Sequence, residues 1–253
     1  MGKDKLRKFR ENETFSCLVQ PRTEEVFRTD HPLKGHWGDT FFKNDRPIVV
    51  ELGCGKGEYT IDLALRNPSC NYIGVDIKGA RLWKGAKYAT EHNLTNVAFL
   101  RTRIEFIESL FAPGEVSEIW ITFADPQIGR EKKRLTSPLF VERYRHFLKP
   151  GGIVHLKTDS PYLHEYSKLM AQVNGLKILA ASRDIYGADR EALYKSEMAS
   201  VCGTGAIDAL FQVQTFYESQ YLAKGLPITY LAFNIDREGS YLSPEWDESL
   251  YER

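Results

Sequence analysis

The 253-residue chain predicts a doubly wound, mostly parallel α/β sheet of the Rossmann-like kind, on three observations. Short β-branched runs alternate with helix-period segments from residue 47 to residue 234. Such alternation calls for right-handed crossovers between parallel strands. The first run, Ile48-Val49-Val50-Glu51-Leu52, leads directly into a glycine-rich turn. The second, Tyr72-Ile73-Gly74-Val75-Asp76, ends on an acid.

Each element has its own signal. Residues 48–52 read as a buried strand by length and flanks. Residues 58–66 place Ile61, Ala64 and Leu65 at helical spacing and stop at Asn67-Pro68. A second strand covers 72–76 and a helix 80–92; further strands fall at 97–100 and 119–123. A helix over 139–148 ends at Lys149-Pro150-Gly151-Gly152, before a strand at 153–157 and a helix at 162–173. Strands at 176–181 and 228–234 complete the set, with a helix over 214–224 ahead of the last. Residues 183–206 have weak periodicity and read as an insertion or mobile loop. The domain is expected over 47–235, with an N-terminal arm at 1–46 and an acidic tail at 236–253.

Composition is that of a soluble globular chain, 42% hydrophobic and 27% charged, with no apolar run long enough to span a membrane. The four cysteines (Cys17, Cys54, Cys70, Cys202) show neither a C-x-x-C pair nor metal-like spacing with histidine. They read as reduced thiols of a cytoplasmic protein that needs no metal. Thirty-four bases balance thirty-four acids. Their distribution is uneven: Lys3, Lys5, Arg7, Lys8 and Arg10 face only Asp4, while the last 18 residues are acidic. Either both termini are solvated, or the basic segment is left available for phosphate contacts.

The turn Glu51-Leu52-Gly53-Cys54-Gly55-Lys56-Gly57 lies where a strand meets a helix, the edge at which open α/β sheets bind ligands. Its glycines allow a sharp turn and close backbone approach. The pattern is G-x-G-x-G behind an acid, not the dinucleotide G-x-G-x-x-G. Glu51 would repel a pyrophosphate but accept from an ammonium group. Asp76, 19 residues after Gly57, is placed to receive both ribose hydroxyls. Together they point to a nucleoside cofactor with a cationic amino-acid tail; the bland alternative is a structural glycine turn between two surface acids.

Phe123-Ala124-Asp125-Pro126 follows the fourth strand, where class I methyltransferases carry substrate-facing residues. An acid there can hold a nucleophile close to the incoming methyl, or it can form an ordinary Asx turn. Arg130-Glu131-Lys132-Lys133-Arg134 comes next and suits a polyanionic substrate. Its bland reading is a solvated helix face. Asp159, after the fifth strand, either accepts from a base edge or caps the following helix.

These residues resemble the bacterial tRNA (guanine-N7)-methyltransferases from about residue 15 to residue 234. The motifs are the Glu51–Gly57 turn, Tyr72–Asp76, Asp125-Pro126 with its basic run, Leu156-Lys157-Thr158-Asp159, and Thr215-Phe216-Tyr217-Glu218. The resemblance implies a seven-stranded sheet and S-adenosylmethionine-dependent methylation of a guanine in the tRNA variable loop. It implies cofactor binding by Glu51, Gly53, Gly55, Gly57, Asp76, Arg103 and Asp125. Asp125 is the position it makes catalytic, beside the cofactor. It places Asp159, Thr215 and Glu218 at the guanine or its surroundings; the basic side chains of Arg130, Lys132, Lys133 and Arg134 would then grip the tRNA backbone. The chain departs from the pattern at Ala124, Gln127 and Arg103, where proline, an aromatic and an acid or asparagine are usual. Its basic loop is also shorter, so the lysine used for substrate is matched by Arg130 or Gly129. Guanine N7 carries a free lone pair, so the reaction needs no base to remove a proton. A small-molecule methyltransferase and a non-catalytic tRNA-binding protein are the alternative readings.

Overall fold

The computed structural model describes residues 3–187, 189–202 and 204–247. The expectations for Glu248, Glu252 and Arg253 of the tail, and for residues 1, 2, 188 and 203, lie outside the described residues. Two compact units are present, one formed by Met1–Ile119 with His146–Lys149, the other by Trp120–Arg145 with Pro150–Arg253.

The first unit opens with helix α1 (Lys3–Asn12), strand β1 (Leu18–Val19) and the short helix α2 (Thr23–Val26), followed by a wide turn at Trp37–Phe42. The alternation then runs β2 (Ile48–Leu52), α3 (Glu58–Arg66), β3 (Asn71–Asp76), α4 (Gly79–Glu91) and β4 (Val97–Arg101), before β5 (Val116–Thr122). Within the sheet the order is β1-β4-β3-β2-β5, and the β1·β4, β4·β3 and β3·β2 pairs are parallel. The order reverses after β4, because β5 returns to the far side of β2. That makes the carboxyl end of β2 the switch point. Val50, Leu52, Ile73, Val75, Phe99 and Leu100 are buried in this sheet, as expected of strands covered on both faces.

All seven expected strands form. The eighth, β1, aligns Leu18 with Phe99 and Val19 with Leu100; two residues are too few to show a period. The described residues before 47 are packed as part of this first unit. Asn12 donates to the Gly79 carbonyl (2.9 Å) and Trp83 to the Glu11 carboxylate (2.6 Å). Trp37 is fully buried, donating to the Leu110 carbonyl at 2.8 Å.

The second unit comprises α5 (Pro138–Arg145), β6 (Leu148–Thr158), α6 (Pro161–Val173) and β7 (Ile178–Ser182). Short helices α7 (Arg190–Tyr194), α8 (Glu197–Cys202) and α9 (Thr204–Gln212) follow, then α10 (Phe216–Ala223) and β8 (Thr229–Asn234). The sheet order here is β5-β6-β8-β7, with β8 antiparallel to both neighbours. β6 begins at Leu148, earlier than its apolar run suggests, and the Asn234 side chain donates to the carbonyls of Gly151 and Gly152 (both 3.0 Å). Segment 183–206 carries α7 and α8. The described part of the tail lies against α6: Leu242 N–H donates to the Asn174 side chain (2.7 Å), and Trp246 meets Tyr162 and Tyr166 edge-on.

Candidate active site

In the first unit, β2 delivers Glu51 buried at its carboxyl end. One carboxylate oxygen accepts from the Thr60 backbone N–H at 2.9 Å and from the Thr60 hydroxyl. Thr60 is in the first turn of α3, whose N–H groups have no partner inside the helix. Glu51 therefore ties the start of α3 to the end of β2, complementing the helix dipole. The acid is legible in the sequence; its partner Thr60 is not.

The glycine turn has left-handed backbone at Gly53, Gly55 and Gly57 (φ +75°, +59° and +72°). Gly57 is doubly constrained, since a Cβ there would overlap the Phe99 ring. Gly57→Ala is expected to lower cofactor affinity and cost about 2–4 kcal/mol of stability, from φ strain plus overpacking. Calorimetric titration and urea unfolding would check this, and an unperturbed variant would refute it. Around Gly53 and Gly55 nothing lies within 4 Å of a Cβ position. The turn is braced from β3: Gly53 and Cys54 N–H donate to the Val75 carbonyl, and Gly55 N–H to Asp76 (3.0 Å). The other Asp76 oxygen accepts from Lys78 N–H at 2.6 Å. Two of the roughly four acceptor positions of that carboxylate are thus used. Ile77 beside it is exposed, an apolar surface that no motif in the sequence announces. Arg103 precedes a 3₁₀ turn at Ile104–Ser109 and directs its exposed guanidinium to Glu105 (3.3 Å) and over Phe106.

In the second unit, β5 ends in a turn with left-handed backbone at two residues that are not glycine, Phe123 (φ +49°) and Gln127 (φ +52°). Phe123 N–H donates to the Lys157 carbonyl (2.9 Å). Asp125 is exposed, and one of its oxygens accepts from Gln127 N–H at 2.9 Å. The Asx turn expected as the bland alternative is therefore present, and it fixes an outward carboxylate.

The basic run divides. Arg130, Lys132 and Lys133 are exposed. Arg134 corrects the expectation of a phosphate contact, because its side chain is fully buried. It donates to the carbonyls of Pro126 (2.9 Å) and Gln127 (3.2 Å) and to the Tyr162 hydroxyl, with its guanidinium 3.9 Å from the Tyr166 ring centroid.

Asp159 is half-buried beyond β6; burial raises its carboxyl above the ordinary value, and the nearby Tyr221 hydroxyl acts against that shift. It does not cap α6, because Ser160 does so, accepting from Leu163 N–H at 3.2 Å. Tyr221 also stacks near Phe123, with centroids 6.3 Å apart. Thr215 is the N-cap of α10, accepting from Glu218 N–H at 3.2 Å. Glu218 departs from the expected guanine contact, since it is fully buried in an ion pair with Lys157 at 2.7 Å. Lys157 also donates to the Leu210 (2.7 Å) and Val213 (3.0 Å) carbonyls, and the Tyr186 hydroxyl to Glu218 at 2.8 Å. The signal for this pair in the sequence is a lysine inside an apolar strand.

A family described as putative methyltransferase matches residues 45–196. The tRNA (guanine-N(7)-)-methyltransferase of Christiangramia forsetii is 54% identical, over 92% of this chain and 99% of its own length. The protein of the same name from Bacteroides thetaiotaomicron is 44% identical, over 99% of this chain and 93% of its own. The chain belongs to the tRNA (guanine-N7)-methyltransferase family. Among solved structures, the 16S rRNA methyltransferase KamB superposes with a TM-score of 0.54 at 17% identity, covering 76% of this chain and 88% of that one, a likeness of fold. Among the described residues, no group of three or more His, Cys, Asp or Glu is arranged to hold a metal ion. None of their helices is long and apolar enough to cross a membrane.

Proposed function

We propose that the chain methylates N7 of a guanine in the variable loop of tRNA, with S-adenosylmethionine as donor. The observation that carries this reading is the outward Asp125 carboxylate on its fixed turn, followed by the exposed bases Arg130, Lys132 and Lys133.

The first unit suits the donor. The uncrowded backbone at Gly53 and Gly55 offers a cradle that side chains would fill. Glu51 would hold the ammonium end, Asp76 the ribose hydroxyls, and Ile77 the flat face of the purine. Arg103 is assigned to the adenine end through its backbone only, since its guanidinium is engaged with Glu105. When bound, the cofactor supplies an electrophilic methyl on a sulfonium.

The residues of the second unit act on the acceptor. Guanine N7 attacks through its own lone pair, so positioning supplies much of the rate. Asp125 orients the ring and offsets the positive charge it gains. Asp159 accepts from the guanine N–H edge, with Tyr221 close beside it. Thr215 starts the helix that carries Tyr221; Arg130, Lys132 and Lys133 hold phosphates.

Incubation with labelled S-adenosylmethionine and unmodified bulk tRNA, then aniline cleavage at the methylated base, tests this reading. A single cleavage in the variable loop is expected. Label in a small metabolite, or binding without incorporation, would replace it with one of the alternatives. The pH dependence adds a check on Asp159. Its carboxyl is raised from the ordinary 3.8 by burial, so the acceptor form exists above that raised pKa and disappears as pH falls through it. The KM for tRNA should therefore climb at a higher pH than an ordinary carboxylate would dictate. Asp159→Asn should show high KM throughout; an unchanged acid limb in that variant would remove Asp159 from guanine recognition.

A further inference from the structure

We infer that Arg134 is a positioning residue for the Asp125 turn, holding from inside the fold a backbone that its own residues disfavour. The inference rests on the proposed role of Asp125.

The turn has an unfavourable conformation to maintain. Phe123 and Gln127 both lie in the left-handed region, which suits glycine and opposes a residue with a Cβ. Proline at 126 brings no N–H to the turn. Within the turn, the hydrogen bond from Gln127 N–H to Asp125 restrains one side. Such conformations persist where the surroundings over-determine them.

Arg134 provides that restraint from the other side. Its Nε reaches the Pro126 carbonyl at 2.9 Å and its Nη2 the Gln127 carbonyl at 3.2 Å, two successive peptide oxygens held by one rigid planar fork. Lysine has no such fork. The guanidinium is itself fixed, packed 3.9 Å from the Tyr166 ring centroid and 4.9 Å from that of Tyr162, whose hydroxyl also accepts from it. Both tyrosines are buried on α6, one turn apart, and the Tyr166 hydroxyl donates to Glu131 at 2.7 Å. The links therefore run from a thirteen-residue helix, through two rings and one guanidinium, to the two successive peptide units that follow Asp125-Pro126. Burying a guanidinium is costly unless it is hydrogen-bonded, and here two of its bonds fall on the turn. The run from 130 to 134 thus has two tasks: three cations face outward, and the last faces in.

The test compares Arg134→Ala and Arg134→Lys with the Lys132→Ala/Lys133→Ala pair. For Arg134→Ala, kcat should fall about 100-fold, the usual consequence of a displacement near 1 Å at a reacting group. Binding of S-adenosylhomocysteine should stay unchanged, and so should the slope of log tRNA affinity against log salt. The Lys132/Lys133 pair should instead lower that slope by about 1.4–1.8, because two phosphates are no longer neutralised. Millimolar guanidinium should restore part of kcat to Arg134→Ala, and Arg134→Lys should not recover it. An unchanged kcat with a shallower salt slope in Arg134→Ala would make it a phosphate contact and overturn the inference. If Arg134→Ala does not fold, Tyr162→Phe removes one anchor and keeps the ring; it should lower kcat without raising the KM for tRNA, and an unchanged kcat there counts against the inference. Asp125→Asn run in parallel separates the two readings. An inactive Asp125→Asn beside a fully active Arg134→Ala refutes Arg134 alone. An active Asp125→Asn beside an inactive Arg134→Ala refutes the role of Asp125.

Discussion

Replacing Asp125 with alanine should leave S-adenosylhomocysteine affinity within about twofold of the parent while lowering kcat by roughly 10²–10³, the scale for loss of one preorganised electrostatic group. The asymmetry follows from where the carboxylate sits. Asp125 is exposed and accepts from the neighbouring Gln127 N–H, so its removal leaves no buried partner unsatisfied. The glycine cradle, Glu51 and Asp76 are braced within the other unit by Thr60, Val75 and Lys78. A single-turnover assay at saturating cofactor and tRNA reads the chemical step, and calorimetric titration reads the cofactor. Asparagine keeps the Asx turn but not the charge, so its deficit measures electrostatics alone. Equal losses of kcat and cofactor affinity in the alanine variant would end the assignment of Asp125 to the guanine.

Glu218→Ala should cost about 3–5 kcal/mol, because it leaves the Lys157 ammonium buried without its counter-charge. Burial already lowers the Lys157 pKa, and Glu218 acts against that shift. The damage should also reach the substrate side: α10 carries Tyr221, which lies beside Asp159, so the KM for tRNA should rise. Replacing both partners, Lys157→Met with Glu218→Leu, should recover most of the stability, since well-packed apolar substitutes for a buried pair are often neutral. Urea unfolding of the two single variants and the double variant forms a cycle that checks this. A stable Glu218→Ala protein would mean that the pair contributes little.

The parts of this molecule written locally are readable from residues alone. A β-branched run followed by glycines and a second run ending in Asp76 specify strand, turn and strand within thirty residues, and the structure places them as β2, its turn and β3. Arg134 is misread from sequence because four bases in five residues look like a wet surface. Its anchors, Tyr162 and Tyr166, come from a helix some thirty residues on. Glu218 is misread for the same reason, its partner Lys157 being 61 residues away. Residues before 47 break the alternation, so nothing periodic announces that Trp37 is buried or that Asn12 reaches Gly79. Tyr241 and Trp246 are hidden by the acids around them, although both are aromatic. Local order travels in sequence pattern; long-range anchoring of charged groups does not.

Cys54 occupies the middle of the glycine turn, and its thiol is pushed well above the ordinary range by burial, then by Glu51 and Asp76. The thiol is therefore protonated and shielded, and slow toward alkylating reagents. Its reaction can proceed only when the turn opens, so the rate of modification counts those openings. A ligand bridging the two acids would hold the turn shut, making Cys54 a native clock for occupancy that needs no label on either substrate.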